Sequence, residues 1–209
     1  MSARPFRQAG ALSLAAALVG WSFVGPRLPA RWRTVVQAGV GGLSVLITRA
    51  PLGLGPSRLP AGLRLGSLAA ISTAGAVAAT TLLTPVRRSM ADREPPAAAA
   101  DWLLLRIPVG TVWSEESTYR GALAAAGRAA FGESGGRLLQ ASAFGLSHIA
   151  DARATGEPVA PTVLATGIAG WLFGWLADRS GSLAAPMLAH LAINEAGAIA
   201  VLALNPSNR

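Results

Sequence analysis

"VGTVWSEESTYRGALAAAG", residues 109–127, decides how the rest of the chain is read. Its flanks are apolar or small, and its middle carries Glu115, Glu116 and Arg120. The stretch reads as a membrane helix. An ionisable group at the centre of such a helix costs about 2.5–3.5 kcal/mol on insertion scales. Three left unpaired would cost about 8–10 kcal/mol. Intramembrane charges of this kind face a protein interior or a wet cavity and mark functional positions.

The surrounding composition supports that reading. Hydrophobic residues make up 52% of the 209 residues and charged residues only 13%, which points to a polytopic membrane protein. Without cysteine, the chain has no disulfide and no thiolate metal ligand. All 18 basic residues are arginine, and the formal net charge is +8. The arginines lie mostly between apolar runs, where they suit anionic lipid headgroups. No basic stripe interleaved with aromatics is present, so nucleic acid is not an expected partner. Alanine and arginine richness without lysine suggests a high-GC bacterial source.

A spanning helix needs roughly 20 apolar residues. Residues 9–25 form the first run, with arginines on both sides; a cleaved signal peptide is its rival reading. The second run, 34–48, is short and glycine-rich, which suits close packing. A loop is expected at 49–64 and a third helix at 65–86. The polar stretch 86–96 then separates two halves. A fourth helix starts near Asp101, with Pro108 expected to bend it or reset its start. A glycine-rich loop follows at 127–137, then helices at about 138–151, 161–177 and 182–204. Pro161 and Pro186 suit first turns, and Ser182 suits a cap. Asn205-Pro206 closes the last helix. The expected fold is all-α: a polytopic transmembrane bundle of about six to seven membrane-embedded helices. Arginine occurs in loops on both presumed sides, so charge does not set the orientation.

The second half holds three polar islands, each with a pair spaced i, i+4: Glu116/Arg120, Phe144/His148 and His190/Asn194. Such pairs share a helix face one turn apart. The chain's two histidines are both in this set. Glu116 precedes Arg120, the better order for an ion pair. Glu115 lies about 100° around the helix from it and needs another partner. The histidines are the candidates, and a carboxylate beside a neutral imidazole is a natural water-activating pair. Singly, each island also reads as a structural pair or a packing residue. Four costly positions on three separate helices of one half favour a shared site.

The order E-E-x-x-x-R, F-x-x-x-H, H-x-x-x-N resembles the CPBP family of intramembrane proteases, which includes type II CAAX prenyl endopeptidases and bacteriocin-processing and immunity proteins. Gly121 and "DRSGSLAAPMLAHLAIN", 178–194, resemble its usual context. The likeness covers about 100–205. It divides the chain into N-terminal helices and loops, 1–96, and a CPBP-type catalytic core, 97–209. The resemblance implies that Glu115 takes a proton from water, that His148 holds that water, and that His190 and Asn194 stabilise the oxyanion. It makes Glu116 and Arg120 a supporting ion pair and packs Phe144 beside the site. Ser117, Thr118 and Tyr119 depart from the mostly apolar residues usual there, and Glu195 is an unexpected acid that Arg106, Arg179 or solvent would face.

Two histidines and a glutamate form a set able to hold Zn²⁺ with one position for water: Glu115, His148 and His190. There is no H-E-x-x-H, and the resemblance supports a glutamate-activated water equally, so no metal is expected to be obligatory. The expected function is an intramembrane endopeptidase acting on a peptide or membrane-protein substrate, multi-pass in the plasma membrane. A non-catalytic immunity or assembly factor on the same fold is the alternative. A small transporter or proton relay would show an inverted repeat, which the sequence lacks. Oligomeric state is left open.

Overall fold

The computed structural model of the protein describes residues 4–205, and among these there is no strand. The first hairpin is α1 (Arg4–Val24) and α2 (Ala30–Thr48), joined by a 3-10 turn, Gly25–Arg27. Next come α3 (Leu59–Thr81) and a short α4 (Thr84–Ala91). Helix α5 begins with Ala99–Asp101 and continues as two π-wound stretches, Trp102–Trp113 and Glu116–Leu123. Then follow α6 (Ala124–Ser147), α7 (Ile149–Thr155), α8 (Val159–Ser180) and α9 (Ala184–Leu204).

Four segments are long and apolar enough to cross a bilayer: Arg4–Arg27, Leu59–Thr81, Val159–Ser180 and Ala184–Leu204. The surface of the described bundle is inverted relative to a water-soluble one. Leu46, Ile47, Leu68, Ile71 and Leu164 are exposed, whereas Glu116, Arg120, Gln140 and His190 are buried. Hydrocarbon can solvate the first set and cannot satisfy the second. The all-α membrane bundle expected from sequence is therefore the fold.

Several boundaries differ from the sequence expectation. Pro60 sits in the first turn of α3, so the helix starts inside the expected loop. The polar linker is partly helical, as α4, also opened by a proline. Pro108 does not restart α5; it lies within the π-wound stretch Trp102–Trp113, which the chain passes in wide turns. These relieve the clash that an α turn would impose with the carbonyl four residues back. The glycine-rich loop expected at 127–137 is helix except at Gly132, where φ is +77°. That single left-handed residue turns the chain, and the two arms then close until a Cβ on Gly127 would lie 2.9 Å from the Gly136 Cα. α6 stops at Ser147, and His148 sits in the break before α7 with φ −86° and ψ 0°.

The two halves interleave. α3 packs along α9, α1 along α6, α6 along α8, and α2 against α5. At α9 the cap position falls on Leu183 rather than on Ser182, which sits one residue earlier and accepts the Ala184 amide hydrogen at its Oγ. At the α3–α9 seam, a Cβ on Gly66 would lie 2.8 Å from the Ala185 Cα and 3.0 Å from the Ala184 carbonyl oxygen. Both are backbone atoms, so relief requires moving a helix. Gly66→Ala is expected to destabilise the protein by about 1–3 kcal/mol, the range for overpacking. Thermal unfolding in detergent checks this. Gly75→Ala on the same helix meets nothing within 4 Å and is the control expected to hold or raise stability.

Candidate active site

Three helices deliver the sequence-predicted residues to one place. α5 supplies Glu115, Glu116 and Arg120; the end of α6 supplies Phe144 and His148; α9 supplies His190 and Asn194. A cavity of about 500 Å³ is lined by Glu115, His148, His190 and Asn194. Leu18, Trp21 and Gln37 of α1 and α2 complete its wall.

The adjacent glutamates occupy different environments. The Glu116 side chain is wholly buried. Its Oε1 lies 3.2 Å from an Arg120 terminal nitrogen and accepts a hydrogen bond from His190 Nδ1 at 2.7 Å. Glu115 keeps 29% of its side-chain exposure and lines the cavity. Two neighbouring acids are thus separated by a rotation about the helix axis. One is committed to protein partners, and the other is open to the cavity.

The Arg120 side chain is also wholly buried, and its guanidinium carbon lies 3.9 Å from the Phe144 ring centre and 5.0 Å from that of Phe173. Ring faces replace water around a cation that has one carboxylate partner. Phe144 therefore does more than fill space. It also meets the His148 ring edge-on at 4.7 Å and Tyr119 at 5.2 Å.

Both imidazoles are oriented by their Nδ1 atoms. His148 Nδ1 lies 2.8 Å from the Phe144 carbonyl oxygen, an acceptor near the end of α6 that the Ser147 hydroxyl also bonds at 2.8 Å. That oxygen can only accept, so Nδ1 donates and Nε2 is left for the cavity. His190 has the same polarity: Nδ1 donates to Glu116, and Nε2 is 3.8 Å from Glu115 Oε2. This is too long for a direct hydrogen bond, and Glu115 Oε2 is itself buried without a hydrogen-bond partner among the described residues.

The His190 ring nitrogens face Glu116 and Glu115 rather than Asn194. Glu195 is not paired with Arg106, which bonds Asp101 at 2.6 Å; Glu195 Oε1 is buried without a hydrogen-bond partner. Glu115, His148 and His190 share a cavity. Among the described residues, no three His, Asp or Glu side chains converge enough to hold a metal ion.

Phe173 escaped the sequence reading. It stacks on His190 with ring centres 5.2 Å apart and planes at 27°, fixing the ring that Glu116 holds from its edge. In an apolar helix a site phenylalanine carries no signal that separates it from a lipid-facing one. Phe173→Ala removes a packing wall from both His190 and Arg120. It is expected to cost about 3–5 kcal/mol, read by thermal unfolding.

Residues 97–196 match the model of a family described as Rce1-like, Type II CAAX prenyl endopeptidase Rce1-like. No curated protein and no solved structure matches the chain.

Proposed function

We propose that the chain, whose residues 97–196 match that family model, is a CPBP-type intramembrane endopeptidase of the plasma membrane in which Glu115 activates water against a peptide carbonyl. The observation that carries the reading is that Glu115, His148, His190 and Asn194, from three separate helices, line one cavity.

The chemistry follows from the donor and acceptor pattern. Neutral His190 gives its one N–H to Glu116, so its Nε2 accepts. Glu115 and His190 Nε2 thus present two acceptors to one water molecule, which orients its hydrogens and leaves an oxygen lone pair for attack. His148 Nε2 is a further acceptor on the cavity wall. As the water oxygen bonds the carbonyl carbon, Glu115 takes a proton and the carbonyl oxygen becomes an oxyanion. Asn194, a neutral amide with N–H donors, stabilises that oxygen. Glu115 then returns the proton to the leaving nitrogen as the C–N bond breaks, releasing a carboxylic acid and an amine. In this account His190 holds water and Asn194 carries the oxyanion role, a division that the sequence pattern alone did not make.

Asn194→Ala separates these roles. It is expected to lower kcat by about 10²–10³-fold with little change in unfolding temperature, because among the described residues the Asn194 side chain forms no hydrogen bond that the fold uses. Purified protein in liposomes, assayed on membrane-protein mixtures by the yield of new peptide C-termini, reads the effect. An Asn194→Ala protein as active as the parent would remove Asn194 from the mechanism.

A further inference from the structure

A second, larger cavity of about 1190 Å³ lies beside the catalytic one. Thr111 and Asn194 line both, so the two spaces meet at the proposed oxyanion donor. Its outer wall is α4 and the chain after it; its inner wall is the start of α5 and the last turns of α9. We propose that this vestibule is the binding site for the extended peptide flank of the substrate, which enters from one membrane face and is threaded past Asn194 to Glu115. The proposal rests on the protease reading above.

Size is the first argument. Pockets for small molecules run about 300–1,000 Å³, and this one exceeds them. Chemistry is the second. The outer part carries five ionisable side chains of both signs: Arg88, Arg93, Asp92, Glu94 and Glu157. The inner part is apolar, with Trp102, Ile107 and Val201. An acyl chain would be served by the inner part alone and opposed by the outer. A peptide has polar backbone for the one and side chains for the other. With signs mixed, the outer part selects for no net charge, and the apolar floor selects for hydrophobic side chains.

The outer wall is fastened. Arg93 pairs with Glu157, and Asn205 Nδ2 donates to the Arg93 carbonyl oxygen at 3.3 Å. The lining between 85 and 96, together with Val201, lies outside the matched segment 97–196.

The absence of cysteine makes a direct test available. A Cβ at Gly197, which lines the vestibule, meets nothing within 4 Å; the same holds at Gly55 in the loop before α3, outside it. Gly197→Cys and Gly55→Cys, each purified in liposomes, would be reacted with a bulky charged maleimide. Labelled Gly197→Cys is expected to release at least about tenfold fewer new C-termini than the same variant unlabelled, since displacement from an aligned position is costly. Labelled Gly55→Cys should match its unlabelled form. Equal yields before and after labelling at 197 would overturn the proposal. In the Glu115→Gln background, which does not depend on catalysis, an alternating Leu-Ser dodecapeptide is expected to slow labelling at 197, and a long-chain fatty acid is not. Slowing by the fatty acid alone, or by neither, would overturn the proposal even while cleavage stands. If peptide protects but no protein cleaves, the protease reading fails and the peptide site remains.

Discussion

Replacing Glu115 by Gln is expected to lower peptide-bond cleavage by about 10²–10⁴-fold, the usual contribution of a positioned general base. Gln keeps the size and polarity of the side chain but cannot accept the water's proton. Stability should barely change, because among the described residues the Glu115 side chain has no hydrogen-bonded protein partner, and His190 Nε2 is 3.8 Å from its Oε2. The variant should insert, purify and unfold like the parent. That combination separates a reacting acid from a structural one. A Glu115→Gln protein that still cleaves, or one that misfolds, would place the base elsewhere or give Glu115 a structural task.

Glu116→Ala is expected to behave oppositely. It removes the carboxylate beside Arg120 and the acceptor that fixes His190. A fully buried guanidinium is left uncompensated, at about 3–5 kcal/mol of stability. Aromatic rings soften this loss without supplying a countercharge. Activity should fall as well, since His190 loses the bond that orients Nε2. The double replacement Glu116→Leu/Arg120→Met then distinguishes the two effects. Exchanging a buried ion pair for apolar residues of similar volume is often neutral or stabilising, so unfolding temperature should recover toward the parent value. Cleavage should not recover, because no acceptor holds His190. Joint recovery of stability and activity would show that Glu116 serves the fold alone.

Much of this arrangement was legible in the sequence because membrane burial makes polarity informative. Against a hydrocarbon background, Glu115, Glu116, Arg120, His148, His190 and Asn194 stand out by cost alone, and i, i+4 spacing pairs them. Apolar positions gave little. In lipid, a leucine facing outward and one facing inward are chemically alike, so the walls contributed by Leu18 and Trp21, and the stacking of Phe173, left no mark. Backbone winding was equally hidden. The π turns of α5 and the single left-handed residue at Gly132 depend on how neighbouring helices close, not on local composition. The hydrogen-bond direction at His190 was also beyond sequence, because it depends on which carboxylate reaches Nδ1.

The central claim is that this site hydrolyses peptide bonds with water drawn from the shared cavity. Incubating the purified protein in liposomes with a membrane-protein mixture in H₂¹⁸O, and sequencing the new C-termini by mass spectrometry, tests it whatever the natural substrate is. The account predicts a set of new C-terminal carboxylates carrying one ¹⁸O with the parent protein, absent with Glu115→Gln. An identical set of labelled termini from both proteins, or none from either, would contradict it.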